Sequence, residues 1–308
     1  MEIEQELANI TPQKGTILAI GVFDGVHAGH RYLIKRLNQR AGEEDLLSGV
    51  VTFDPHPQSI LHPYNQLLRL SSLEDRIKEL QELGVALITV LSFTPELAQL
   101  SAREFVASLK KYLKMHGLII GPDFVLGRGR EGNANLLHTL GQEMTFSVEV
   151  IPPFTINGEI VRSTLIRRAL AQGDMMKVER LMGRYFKLNA EVVSADKRGQ
   201  RLGFPTANLD IRPGQALPGN GVYATITQLD GKQFASATNI GTRPTFESGK
   251  KTVETHLLDY EGNLYGKELQ VKFIRKLREE KRFARAKELS AQIKKDIEKV
   301  KIITRELE

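Results

Sequence analysis

The chain contains no cysteine in its 308 residues. Disulfides, thiol nucleophiles and thiolate metal sites are therefore excluded, while the redox compartment stays open. It also has no run of eighteen apolar residues, so no segment is a candidate membrane span. The opening residues, Met1-Glu2-Ile3-Glu4-Gln5-Glu6, are acidic where a secretory leader would be basic and then apolar. Cytoplasmic work without a membrane partner is the expectation. Neither a zinc-finger spacing nor an aromatic-rich RNA-binding signature is found. The formal net charge of +6 is modest for this length, and its cations are mostly interleaved with acids. A solvated surface with sites for small anions explains it, and no nucleic-acid partner is expected. An oligomer is compatible with the sequence but not predicted by it. What is present is an ordinary globular composition, long enough for two domains that each bury a core.

One stretch near the start organises the first half. Ile17-Leu18-Ala19-Ile20 is an apolar, β-prone run that stops at glycine. Gly21-Val22-Phe23-Asp24-Gly25-Val26-His27-Ala28-Gly29-His30 follows, before Arg31-Tyr32-Leu33-Ile34 resumes at helical spacing. The pattern reads as strand, tight turn and helix start. A helix N-terminus presents unpaired N–H groups and the positive end of a dipole, so it receives phosphate. His27 and His30 placed there can donate hydrogen bonds to phosphate oxygens as charge builds in a transition state. Gly21, Gly25 and Gly29 allow close backbone approach or positive φ. The stretch has neither the glycine spacing of a dinucleotide fingerprint nor the Gly-Lys-Ser/Thr of a P-loop.

Further strands are expected over 46–53, 85–91, from 118, and over 147–151. Helices alternate with them, over 72–83, from the Ser101-Ala102-Arg103-Glu104 capping box to 112, and through 161–170. This βα alternation predicts a parallel, Rossmann-like α/β sheet. Asp54 and His56, within Asp54-Pro55-His56-Pro57, fall in a loop at the carboxyl end of a strand, where open sheets bind ligands. Gly121-Pro122-Asp123-Phe124-Val125-Leu126-Gly127-Arg128-Gly129-Arg130-Glu131-Gly132-Asn133 reads as a flexible loop presenting cations to a phosphate-bearing substrate. In Val161-Arg162-Ser163-Thr164-Leu165-Ile166-Arg167, Ser163 or Thr164 can cap a helix, leaving backbone amides and Arg167 for an anion.

A short helix to about 181 precedes a boundary at Gly183-Arg184, so domains are expected over 1–182 and 183–308. Beyond it, strand-like runs over 187–194, 221–227, 233–240, 252–259 and 268–274 predict a closed antiparallel barrel. Asp230-Gly231 and Glu261-Gly262-Asn263 are the expected hairpin turns. A helix over 285–304, with Leu289, Ile293, Ile297 and Val300 at core spacing, is expected to pack against the barrel. In Gly199-Gln200-Arg201-Leu202-Gly203-Phe204-Pro205-Thr206-Ala207-Asn208 the proline holds the chain extended, so Thr206 and Asn208 point to one side. A hydroxyl and an amide oxygen are hard ligands suited to a Mg²⁺ that also carries phosphates and waters. Glu254, on a strand facing the same cavity, is the candidate base for a primary alcohol.

The Gly21–His30 block resembles the signature of the HxGH nucleotidyltransferases, and within them the flavin adenylyltransferase branch. Gly203-Phe204-Pro205-Thr206-Ala207-Asn208 resembles the riboflavin kinase signature, as do Asn239-Ile240-Gly241-Thr242-Arg243-Pro244-Thr245-Phe246 and Val253-Glu254-Thr255-His256-Leu257-Leu258-Asp259. Together, in this order, the motifs resemble the bacterial bifunctional riboflavin kinase/FAD synthetase family. The resemblance implies phosphorylation of riboflavin to FMN and adenylylation of FMN to FAD, with ATP as co-substrate and Mg²⁺ as cofactor. It implies ATP contacts from Gly21, Phe23, Asp24, Gly25, Gly29, Ser163, Thr164 and Arg167, and in the second half from Gly199, Arg201, Gly203 and Pro205. Flavin contacts are implied for Asp54, His56, Asp123, Phe124, Arg130 and Arg278. Four residues depart from the family pattern: Val125 and Leu126 in place of Arg-Phe, Asn133 in place of Asp, and Arg162 in place of Ser.

Overall fold

The computed structural model describes residues 2–64, 67–194, 203–242, 251–281 and 283–307. It contains two compact units, Met1–Ser163 and Thr164–Glu308.

The first unit opens on α1 (Glu2–Ala8), where Ile3 and Leu7, four residues apart, face the core. It continues through β1 (Thr16–Ile20), α2 (Ala28–Glu43), β2 (Leu47–Asp54), α3 (Pro57–Leu61), α4 (Leu73–Glu82) and β3 (Leu87–Ser92). Then come α5 (Pro95–Ala98), α6 (Ala102–Leu113), β4 (Met115–Ile120), α7 (Ala134–Met144), β5 (Ser147–Val150), β6 (Thr155–Ile156) and β7 (Glu159–Ile160). The five long strands form a parallel sheet in the order β3-β2-β1-β4-β5. Along β1, Leu18 and Ile20 join a core cluster with residues of α1, α6 and α7, while Ile17 and Ala19 join another with Ile34, Leu37 and Leu80. Both faces are covered, which is why these strands read as continuous apolar runs rather than alternating ones. The strand order reverses between β1 and β4, so the crevice at their carboxyl ends is the topological switch point of the sheet. The Ser101–Glu104 capping box forms as expected.

The second unit comprises α8 (Ser163–Gln172, after its first residue), α9 (Met175–Met182), β8 (Phe186–Val193), β9 (Ala207–Leu209) and β10 (Gly221–Leu229). β11 (Lys232–Thr242), β12 (Lys251–Leu257), β13 (Glu268–Arg278) and α10 (Ala286–Arg305) complete it. Its strands close into an antiparallel barrel in the order β10-β11-β12-β9-β8-β13. Asp230 and Gly231 turn β10 into β11 with φ of +48° and +80°, the positive values a two-residue hairpin needs.

Glu261-Gly262-Asn263 is not a hairpin turn. The sequence motif around Ala207 supplies a strand, β9, which takes the edge of β12, so β12 and β13 are not neighbours. The terminal helix also differs from its expected register. Val300 and Ile303 are buried against the barrel and Ile297 partly so, but Leu289 and Ile293 are half-buried and outside that cluster. Asp296, 2% exposed, lies on the packed side instead. It receives Arg278 Nε at 2.9 Å and Gln292 Nε2 at 2.8 Å, so a buried ion pair fastens this part of α10 where apolar contact was expected.

Inside the barrel lies a chain of fully buried hydroxyls. Thr225 Oγ1 donates to the Ser236 carbonyl at 2.9 Å, which uses its only proton. The hydroxyls of Ser236 and Thr238, each 2.8 Å away, must then donate to Thr225. It follows that Thr227 donates to Ser236 (2.7 Å) and Thr255 to Thr238 (3.0 Å), giving the chain one direction. These bonds cross β10, β11 and β12.

Candidate active sites

Strand β1 runs into a turn that its own residues would not choose. Phe23 and Val26 adopt φ of +53° and +36°, left-handed values that a β-branched residue such as Val26 rarely takes. Such a backbone persists only where its surroundings over-determine it. Asp24, 4% exposed, accepts from the Leu70 amide at 2.9 Å and the Ser71 amide at 3.2 Å. The Ser71 hydroxyl in turn accepts from the Gly25 amide at 3.0 Å. From α4, Arg76 donates to the Val22 carbonyl at 2.6 Å and the Phe53 carbonyl at 3.1 Å, tying the ends of β1 and β2 together. Burial pushes the Arg76 guanidinium's pKa down, and the Asp24 and Asp54 carboxylates oppose that push. Arg76 was not among the residues singled out by motif. Its signal was nevertheless present, because Leu73, Arg76 and Leu80 recur at helical spacing and place a cation on the apolar face of α4.

The turn delivers two histidines. His27 is the N-cap of α2, its Nδ1 accepting from the His30 amide at 3.3 Å. An accepting Nδ1 leaves the proton of the neutral ring on Nε2. The His27 and His30 rings stack with centroids 3.6 Å apart and 15° between planes, and Phe23 lies 5.1 Å from His30. Gly29 leaves room for this stack, since a Cβ there would crowd His27 Cε1 at 3.2 Å and the Val161 carbonyl at 3.4 Å. His30 Nδ1 is buried without a hydrogen-bond partner. Burial, and then the neighbouring His27, hold the His30 pKa well below its ordinary value, so the ring is neutral at pH 7.

A cavity of about 410 Å³ opens at the carboxyl ends of β1, β4 and β5. Of the residues expected at this site, Gly21, Phe23, His27, Gly29, His30, Asp123, Phe124 and Ser163 line it. Much of the remaining wall is apolar, including Ile20, Leu33, Ile151 and Phe154. Helix α8 starts at Ser163 itself, and the Ser163 hydroxyl donates to the Asp24 carbonyl at 3.2 Å. Asp24 and Gly25 thus lie in the turn that supports the cavity rather than in its lining. Thr164 and Arg167 follow in the first turns of α8, within the second compact unit.

Asp54 and His56 are not in the cavity lining. Asp54 ends β2 with its carboxylate 4.0 Å from Arg76, and His56 caps α3 by accepting the Gln58 amide at 3.1 Å. The glycine- and arginine-rich loop is fastened rather than loose. Leu126 and Gly132 exchange two backbone hydrogen bonds, the Arg128 amide reaches the Leu100 carbonyl at 2.7 Å, and Glu131 accepts the Ala102 amide at 2.8 Å. Gly127 has φ of +75°, and a Cβ there would lie 2.6 Å from the Ala102 nitrogen. Arg128 and Arg130 remain exposed on this docked hairpin, and Asn133 caps α7.

In the barrel, Asn208 of β9 stands directly opposite Glu254 of β12, and Glu254 opposite Asn239 of β11. Val253, Thr255 and Leu257 are buried in alternation, so Glu254 and its row point outward. Thr206, two residues before Asn208, falls on the same side. His256 holds this segment in place: its Nδ1 donates to the Pro205 carbonyl at 2.7 Å, and its ring meets Phe204 edge-on at 5.9 Å. Gly203 has φ of +82°. Gly199, Arg201 and residues 243–246 lie outside the described residues. Arg278 is engaged with Asp296, and its guanidinium lies 5.8 Å from the Phe283 ring. A neutral hydroxyl and an amide beside one carboxylate suit a hard cation that keeps most of its ligands as water and phosphate oxygen. Among the described residues no group of three His, Cys, Asp or Glu gathers as a metal cage.

Comparison with known proteins accounts for nearly the whole chain. A family model for FAD synthetase matches residues 9–165, and one for riboflavin kinase matches residues 182–304. The bifunctional riboflavin kinase/FMN adenylyltransferase of Escherichia coli (strain K12) is 38% identical over 287 residues, covering 92% of this chain and 91% of that protein. The protein of the same description from Pseudomonas fluorescens is 38% identical over 300 residues, covering 96% of each chain. A crystal structure from Streptococcus pneumoniae, described as a macrolide-efflux protein, matches with a TM-score of 0.89 at 26% identity, covering 96% of each chain. Efflux is said of that protein; among the described residues here, no helix is long and apolar enough to cross a membrane. Two domain matches in order, and relatives alike over more than nine-tenths of their length, place this chain in the bifunctional riboflavin kinase/FMN adenylyltransferase family.

Proposed function

We propose that this chain makes both flavin nucleotides in succession, the barrel phosphorylating riboflavin to FMN and the first domain adenylylating FMN to FAD. ATP is consumed in each step, as ADP in the first and as pyrophosphate in the second. The functional division falls at 1–182 and 183–308. The chain works on small molecules in the cytoplasm, without nucleic acid or membrane.

In adenylyl transfer an oxygen of the FMN phosphate attacks the α-phosphorus of ATP, and the bond to the pyrophosphate leaving group breaks. His27 Nε2–H and His30 donate to the oxygens of the transferring phosphate. His30 supports this role because it lines the cavity with a neutral ring, which carries one N–H to donate. A hydrogen bond gained only as charge develops lowers the barrier rather than merely tightening binding. The α2 amides, Ser163, Thr164 and Arg167 hold ATP phosphates or ribose, with Gly21, Phe23, Asp24, Gly25 and Gly29 shaping the cradle. Asp54, His56, Phe124 and Arg130 take the flavin side.

In the kinase, Glu254 accepts the proton of the ribityl 5′-hydroxyl while its oxygen attacks the γ-phosphorus of ATP. Thr206 and Asn208 would hold Mg²⁺, which when bound neutralises phosphate charge. Gly199, Arg201, Gly203 and Pro205 take the nucleotide, and Arg278 supports the flavin end. The observation that supports the whole reading is that stacked histidines line a cavity in one unit, while Asn208 stands opposite Glu254 in the other.

A second reading, a kinase whose first domain no longer turns over, is favoured by Arg162, Val125 and Asn133 standing where the family pattern has Ser, Arg and Asp. One chromatographic experiment separates the two. The pure protein is incubated with riboflavin, ATP and Mg²⁺, and riboflavin, FMN and FAD are resolved over time. FMN that rises and then gives way to FAD is expected. FMN accumulating under excess ATP would leave only the kinase, and no conversion would overturn both activities.

A further inference from the structure

Among the described residues lining the 410 Å³ cavity, Arg162 is the one lysine or arginine and Asp123 the one carboxylate. They are spent on each other, with Arg162 Nη2 2.6 Å from Asp123 Oδ2. The pair joins two separate segments, the loop after β4 and the residue before α8. Its side chains are 58% and 73% exposed, so the pair stands in water and is weakly held. The neighbouring Ser163 is anchored to the Asp24 carbonyl, which leaves the Arg162 side chain free to change partner without moving the backbone. A phosphate group carries more charge than a carboxylate and offers a guanidinium the same forked geometry.

We propose that Arg162 is a substrate-binding residue of the adenylyl transfer, held in reserve by Asp123, and that a substrate phosphate takes the place of the Asp123 carboxylate. The phosphate is either the polyphosphate of ATP or the monoester of FMN. Asp123 is on this account an internal competitor that lowers affinity for the anion. The inference rests on the adenylyltransferase reading of the first domain. It concerns a position where the family pattern has a serine, so it is a property of this chain's own residues.

The test uses the full chain and its Arg162→Ser, Asp123→Asn and doubly substituted forms, with FAD formation from supplied FMN measured while ATP and FMN are varied separately. Arg162→Ser is expected to raise one KM about tenfold, the size of a lost charge-assisted contact, with kcat changed less than about twofold. Asp123→Asn is expected to lower that same KM by about threefold, an effect that shrinks as salt is raised. In the double variant the Asp123→Asn effect disappears, because the competitor has nothing left to compete for. A raised KM for ATP assigns the polyphosphate, and a raised KM for FMN assigns the monoester. If Arg162→Ser leaves both constants unchanged, or Asp123→Asn raises both, the partner exchange is overturned while the adenylyltransferase reading stands. A parent protein that forms FMN but no FAD overturns that reading and the inference with it.

Discussion

In the first domain the candidate groups hang from a strained backbone, whereas in the barrel they stand on side chains aligned across paired strands. The Gly21–His30 turn carries two non-glycine residues at positive φ, and Asp24 and Arg76 beneath it hold the amides and carbonyls that keep it there. The row in the barrel stands on regular strands without such strain. Asn208, Glu254 and Asn239 meet because the register of β9, β12 and β11 sets them opposite one another. A one-residue slip would turn the whole row inward. The difference teaches where each site is vulnerable: the first to loss of a buried charge that touches no substrate, the second to anything that loosens strand pairing.

The largest test of this contrast is catalytic. His30→Ala should cut FAD formation by roughly 10²–10⁴-fold while FMN formation continues, and Glu254→Gln should do the reverse when FMN is supplied. Each rate is measured separately by chromatography. Loss of both rates from either substitution, in a protein that still melts cooperatively, would break the division between the two sites.

Arg76→Met sharpens the comparison at a distance from the chemistry. It removes the donor to the Val22 and Phe53 carbonyls, and about 2–4 kcal/mol of stability should go with it. Urea unfolding measures that loss, and FAD formation should fall with it while FMN formation is spared. Equal loss of both activities would mean that Arg76 supports general stability rather than the turn.

The corresponding change in the barrel, Thr225→Val, should have a smaller effect. It keeps the shape of the side chain but leaves the Ser236 and Thr238 hydroxyls without their acceptor, for about 1–3 kcal/mol. FMN formation should weaken through a raised KM, with FAD formation from FMN intact. An unchanged urea midpoint would show that the hydroxyl chain is not part of what holds the register.

Much of this was legible beforehand because it is local. Continuous apolar runs such as Ile17–Ile20 and the Asp230-Gly231 turn state their own conformation, and the glycine-flanked His27 and His30 state a helix start. The failures are non-local. Nothing within Glu261-Gly262-Asn263 says that β9 will occupy the edge of β12, and that alone decides whether those residues form a hairpin turn. Asp296 announces nothing within its own helix, because its partner Arg278 lies 18 residues away on another element. Arg76 sat within an ordinary amphipathic pattern, and its importance depends on carbonyls 54 and 23 residues distant. Periodicity reports which face is apolar, and it is silent on which polar group has been recruited into that face.

The smallest expected effect concerns pH, and its sign follows from the environment of His30. Burial and the adjacent His27 keep the folded-state pKa well below the ordinary value of about 6.5. As pH falls below that value, the unfolded chain takes up a proton at His30 that the folded chain refuses. The unfolded state then binds more protons, so stability is complete above about pH 6.5 and declines below it until the folded ring also titrates. The slope from one such proton is at most about 1.4 kcal/mol per pH unit. His30→Asn should remove that share, so the melting temperature of the variant should drop less than that of the parent between pH 7 and pH 5. The opposite order would mean that His30 is charged in the folded protein, and the first domain would then meet its phosphate with a cation. In that case the two sites would differ less than their geometry indicates.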